Sequence, residues 1–125
     1  MAVASTIYDP SAAGSQVIPV TYAASVTLNM ALADEPEFQI TQLTGNIAIT
    51  FINGRNGQKA RVLIIQHASA AKTVTWDSAI CTGSEDLALP ALSTTVGLRN
   101  LFGVNVVTDM AKPYWISASN RGAPA

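Results

Sequence analysis

Charge is scarce in this chain. Asp, Glu, Lys and Arg make up 12% of its 125 residues, about half the share usual in a soluble domain. The formal net charge is −1, and the seven Lys and Arg are scattered. A binder of nucleic-acid backbone needs a basic patch, so no nucleic-acid partner is expected. There is one cysteine, Cys81, which rules out an intrachain disulfide and a cysteine-based metal site. His67 is the only histidine. No apolar run approaches the roughly 20 residues of a membrane-spanning helix, so no membrane partner is expected. Met1–Ser5 carries no basic residue ahead of an apolar run, and no Asn opens a glycosylation sequon. The expectation is a protein made in a cytoplasm without a secretion signal of its own.

Apolar residues, by contrast, reach 49%. The length suits one domain with a real core and is too short for two. An apolar average with so little charge implies that partners cover much of the surface. The competing explanation is a surface of Ser, Thr, Asn and Gln, which the chain also has in quantity.

The pattern along the chain is that of strands. Asn46–Ile52 alternates, with Ile47, Ile49 and Phe51 on one face. Val62–Ile65 is apolar on both faces, as in a strand covered on both sides. Between them lies Asn53-Gly-Arg-Asn-Gly57, whose two Asn-Gly pairs supply positive φ angles. This stretch, Asn46–His67, reads as a central β-hairpin. Val17–Tyr22 contains Pro19, so it is an edge strand at best. Ser25–Met30, Glu37–Leu43, Lys72–Trp76, Leu98–Thr108 and Tyr114–Ser119 complete the set, with 77–90 read as loop. About eight short strands with turn signals between them predict an all-β fold. The expected form is an antiparallel β-sandwich or barrel, jelly-roll-like, over 17–125. Residues 1–16 show no clean period and are read as an extended N-terminal arm, with Ile7 and Tyr8 as anchors on a neighbouring subunit.

Chemistry is thinly represented. Nucleophilic catalysis needs a base beside a nucleophile, oriented by a third group, and no spacing around His67 supports one. No enzyme is expected. The carboxylates fall in two clusters, Asp34/Glu35/Glu37 and Glu85/Asp86, neither with the alternating form of a calcium loop. Solvated loops are the better reading, and no metal or cofactor is expected. Trp76 shares a face with Val74 and belongs in the core. Tyr114 and Trp115 point to opposite faces, which makes Trp115 the candidate interfacial aromatic. Arg55, at the tip of the Asn-Gly turn, is available for a contact.

An ordered series of short motifs runs from Ser25 to Gly122. It comprises Val26-Thr-Leu-Asn29, Leu43-Thr-Gly-Asn46, Asn53–Gln58, Leu63–Ala68, Thr73-Val-Thr-Trp76, Pro90-Ala-Leu-Ser-Thr-Thr95 and Tyr114-Trp115. The series resembles a β-domain recurrent in virion structural proteins of tailed bacteriophages, among them head and tail fibres and decoration-type proteins. The sequence departs from that pattern at His67, where Asp is usual, and at Asp77, where Pro commonly follows the Trp. The loop Ile80–Ser84 and the inverted order of Tyr114-Trp115 also differ. In large fibres the domain is one part of a long chain, whereas here it begins almost at Met1. The resemblance therefore implies a small virion protein, most simply a capsid decoration (cement) protein. Its implied partners are itself, commonly as a homotrimer, and a major capsid protein or another virion component. A fibre or adaptor module that binds host glycans is the alternative.

Overall fold

The computed structural model describes the backbone of residues 15–83 and 89–123. Nine strands and one short 3-10 turn make up its regular structure. In order they are β1 (Ser15–Val20), β2 (Ser25–Asn29), the 3-10 turn Met30–Leu32, β3 (Glu35–Ile40), β4 (Ile47–Ile52), β5 (Lys59–Ile65), β6 (Val74–Trp76), β7 (Cys81–Thr82), β8 (Arg99–Val106) and β9 (Tyr114–Ala123). The all-β expectation holds. β1 is an edge strand, as Pro19 requires.

The strands form two sheets. The larger has the order β1-β3-β5-β8-β9-β7, the smaller β2-β4-β6. From β1 to β6 the chain therefore alternates between sheets, and each strand pairs with the strand two further on. These pairings are parallel: β1–β3, β3–β5, β2–β4 and β4–β6. The result is a two-sheeted coil in which Ser15 lies beside Glu35 and Ile47 beside Val74. β8 then adds to β5 antiparallel, β9 adds antiparallel to β8, and β7 pairs with β9 parallel.

Two expectations are corrected here. The antiparallel jelly-roll arrangement does not describe the pairing, because only β5–β8 and β8–β9 run antiparallel among the described residues. The Asn46–His67 hairpin does not form either. Its arms, β4 and β5, lie in different sheets. Alternation buries Ile47, Ile49 and Phe51 on one arm and Val62 and Ile64 on the other. Two sheets packed face to face satisfy that pattern as well as two neighbouring strands do. The link then has to cross a core about 10 Å thick, which a two-residue turn cannot do. The positive φ angles fall at Asn53 (61°) and Gly57 (82°) and make two corners instead of one reversal. Gly54 between them donates its N–H to Tyr114 Oη at 2.9 Å. A Cβ at Gly54 would sit 2.8 Å from that oxygen, so the close approach needs glycine.

The core lies between the sheets. Phe51 of the small sheet stacks on Tyr114 of the large one, with ring centroids 5.0 Å apart, and Trp76 meets Phe102 edge-on at 5.1 Å. Trp76 is buried beside Val74, as expected, and donates its Nε1–H to Pro90 O. The loop read over 77–90 contains β7.

Crossings between sheets leave main-chain groups without ladder partners. Two buried glutamines take them up. Gln58 Nε2 donates to Met30 O, Ala33 O and Asp34 O, and its Oε1 accepts from Arg55 N. Gln66, fully buried, donates from Nε2 to Lys72 O and Ser93 O, both at 2.9 Å. Its Oε1 accepts from the N–H groups of His67 and Lys72. An unsatisfied buried group costs about 1–3 kcal/mol. Gln66→Leu, which keeps the bulk and removes all four bonds, is expected to lower unfolding free energy by about 3 kcal/mol or more in urea denaturation.

Candidate functional site

The outer face of the large sheet carries most of the side-chain chemistry. Its rows follow from the register. Val17, Glu37, Arg61, Gly103 and Ser117 lie side by side across five strands. Pro19, Gln39, Leu63 and Leu101 form the next row. Lys59, Asn105 and Trp115 form the row on the other side.

Among the described residues, one ion pair lies on this face. Arg61 Nη2 lies 2.9 Å from Glu37 Oε1, and Gln39 Nε2 donates to Glu37 Oε2 at 2.6 Å. The Glu37 side chain keeps only 20% of its exposure. Gly103, opposite Arg61, puts no side chain into the row. A shallow groove of about 320 Å³ runs there, between Glu35, Lys59, Arg61 and Asn105. A second hollow of about 420 Å³ continues past Glu35 and Lys59 to Asp34, Arg55 and Asn56. Arg55 pairs with Asp34 at 2.9 Å, with both side chains exposed. Such a pair contributes at most about 1 kcal/mol. Among the described residues Glu35 and Lys59 form no ion pair. The groove thus offers one free carboxylate and one free ammonium to a polar ligand.

Beside the groove the face is apolar. Leu63, Leu101 and Ile65 are half-buried, and Val17 is 51% exposed. Trp115 lies on this face, opposite in direction to the buried Tyr114, as expected. It is half-buried, and its Nε1 is sealed from solvent with no hydrogen-bond partner among the described residues. An indole N–H left so is unusual, because buried donors normally find an acceptor. Of the other anticipated contact residues, Arg55 sits in the second hollow, while Ile7 and Tyr8 lie outside the described residues. Arg55 and Trp115 border different parts of the face and do not converge.

Sequence reasoning missed Glu35, Lys59, Arg61 and Gly103. The signal was present as two polar alternations, Glu35-Pro-Glu37-Phe-Gln39 and Lys59-Ala-Arg61. What joins them is the parallel β3–β5 pairing, which no local pattern announces. Glu35 is a strand residue, not a loop residue, and Glu37 lies in a strand as its alternation predicts; Glu85 and Asp86 lie outside the described residues.

His67 is half-buried at the end of β5, where its Nδ1 accepts from Ser69 N and Ala70 N at 3.0 and 3.1 Å. Those bonds occupy the nitrogen that lies 3.4 Å from Ser69 Oγ. Among the described residues no three of His, Cys, Asp and Glu gather in a metal-binding group. No protein-family model matches the chain, and neither the curated proteins nor the solved structures contain a significant match.

Cys81 lies buried in β7. Burial, reinforced by the Asp77 carboxylate and partly offset by a main-chain hydrogen bond at Asp77, pushes its thiol from 9.0 to about 12. The folded chain then holds a proton between pH 9 and about 12 that the unfolded chain releases. This contribution to stability is complete below pH 9 and is lost as pH rises towards 12. Ellman's reagent at pH 8 is expected to titrate Cys81 only after denaturation. The alkaline fall in denaturation midpoint should be smaller in Cys81→Ala.

Proposed function

We propose that this protein is a non-enzymatic structural component of a phage virion, binding a capsid lattice as a decoration protein. The observation that carries the reading is the outer face of the large sheet. Its half-exposed Leu63, Leu101, Ile65 and Trp115, with the exposed Val17, adjoin the Glu37–Arg61 ion pair. Burying such a face against a lattice contributes roughly 25 cal/mol per Å², before the costs of association. The ordered motifs from Val26 to Trp115 point the same way by resemblance, which also puts three copies in the assembly. The major capsid protein, or another virion component, is the partner. The arm ahead of β1 supplies further contact through Ile7 and Tyr8.

A second reading, a fibre or adaptor module that binds host glycans, rests on Trp115. It requires glycan binding that Trp115→Ala abolishes while the mass in solution stays unchanged.

Light scattering over a concentration series is expected to give a multiple of the chain mass. A monomer at every concentration would remove the self-association. Deletion of residues 1–14, which spares β1, is expected to weaken co-sedimentation with shells of the cognate capsid protein at least tenfold. The circular dichroism spectrum should be unchanged. Loss of folding would assign these residues to the core instead.

A further inference from the structure

We infer that the two Asn-Gly pairs of the β4–β5 crossing are chemically unequal: Asn56 deamidates in the folded protein, whereas Tyr114 holds Asn53 closed to the same reaction. This is independent of the lattice role proposed above. In the reaction the main-chain nitrogen of the following residue attacks the side-chain amide carbon, Cγ. A bond forms from that nitrogen to Cγ, and the side-chain nitrogen leaves as ammonia, carrying the proton given up by the attacking nitrogen. Water then opens the cyclic imide to Asp or isoaspartate. Glycine in the following position favours the attack, because no side chain hinders the approach and the peptide turns freely. Asn53-Gly54 and Asn56-Gly57 both meet that requirement in sequence.

The fold separates them. Ring closure requires the peptide unit between Asn and Gly to rotate until its nitrogen faces Cγ. At Gly54 that unit is fixed. Its N–H donates to Tyr114 Oη at 2.9 Å, and Asn53 Nδ2 donates to Asn29 Oδ1 at 3.1 Å. The attacking nitrogen and the leaving amide are thus both held. A Cβ on Gly54 would lie 2.8 Å from both Cε1 and Oη of Tyr114, so the peptide has no room to swing. Tyr114 is itself buried and stacked on Phe51. Freeing Gly54 therefore means moving a core side chain.

Gly57 stands in open space. A Cβ there would meet nothing within 4 Å. Asn56 and Gly57 are both exposed, whereas Gly54 is half-buried. The bonds of this pair run to main chain: Gly57 N–H donates to Val106 O at 2.8 Å, and Thr108 N–H donates to Asn56 Oδ1 at 3.1 Å. Both partners sit where β8 ends and the exposed stretch 108–111 begins. Bonds at the end of a strand open at a free energy well below that of global unfolding. Gly57 can part from Val106 without moving an aromatic ring of the core. The product also falls where charge is felt, since Asn56 borders the second hollow with Asp34, Glu35 and Lys59. Deamidation adds a carboxylate there and makes the chain one charge more negative.

Arg55 lies between the two asparagines, so trypsin places them in different peptides. The full chain is aged at pH 8, folded and in guanidinium chloride, and each peptide is followed by mass spectrometry against an unaged sample. Relative to the ratio of rates in guanidinium, Asn56 should gain at least tenfold over Asn53 on folding, with isoaspartate among its products. A smaller gain would overturn the inference. So would an Asn56 that stays intact in the folded protein through ten half-lives of the denatured one. Tyr114→Phe keeps the ring and removes the oxygen. It should raise the folded-state rate at Asn53 at least fivefold and leave Asn56 unchanged, with an unchanged circular dichroism spectrum. An unchanged Asn53 rate in the folded variant would overturn the restraint by Tyr114. Should the variant not fold, the wild-type gain decides alone.

Discussion

The coil depends on the main-chain bonds that two buried glutamine side chains make at the ends of one strand. Gln58 precedes β5 and Gln66 follows it, so the strand between the parallel and antiparallel halves of the large sheet is bracketed by them. Every crossing from sheet to sheet breaks a ladder and leaves carbonyls pointing inward. Gln58 gathers three such carbonyls from the 30–34 crossing. Gln66 joins the 72 and 93 segments. An amide suits the task because it both donates and accepts without carrying charge. A buried carboxylate or ammonium could do only half of it, at a far greater desolvation cost.

Low charge has two structural sources. On the large sheet Glu37 and Arg61 neutralise one another, and Val17, Leu63, Ile65, Leu101 and Trp115 take up much of the rest of the outer face. On the small sheet the outward positions are mostly small or uncharged polar residues, Ser25, Thr27, Asn29, Ala48, Thr50 and Thr75, with the exposed Ile52 beside Asn29. Thr50 Oγ1 donates to Asp77 Oδ2 at 2.7 Å, which ties this face to the chain beyond β6. The low charge thus comes from apolar rows on one face and uncharged polar rows on the other.

Strand positions and inward residues were legible because alternation is a local property. Pro19 marked an edge, Val74 and Trp76 a shared inward face, and Tyr114 and Trp115 opposite faces. Partnership between strands was not legible. Alternation in 47–51 and 60–65 states that each strand has a core side, and says nothing of whether the two share a sheet. The Asn-Gly pairs announced positive φ correctly, but a corner in a crossing and a corner in a hairpin use the same angle. The groove residues were hidden for the same reason, since Glu35 and Lys59 meet only through a parallel pairing. Cys81 lay in a stretch with too few residues per strand to show a period.

The parallel winding also sets the order in which the chain can become structured. Ser15 meets Glu35 and Ile47 meets Val74 only after some twenty or more residues have been closed into a loop, and such closures are entropically slow. Among the described residues, the one direct connection between antiparallel neighbours joins β8 to β9 across residues 107–113. That segment follows the coil along the chain, and β8 is what covers the free side of β5. Most of the coil is therefore synthesised before the β8–β9 pair that covers it.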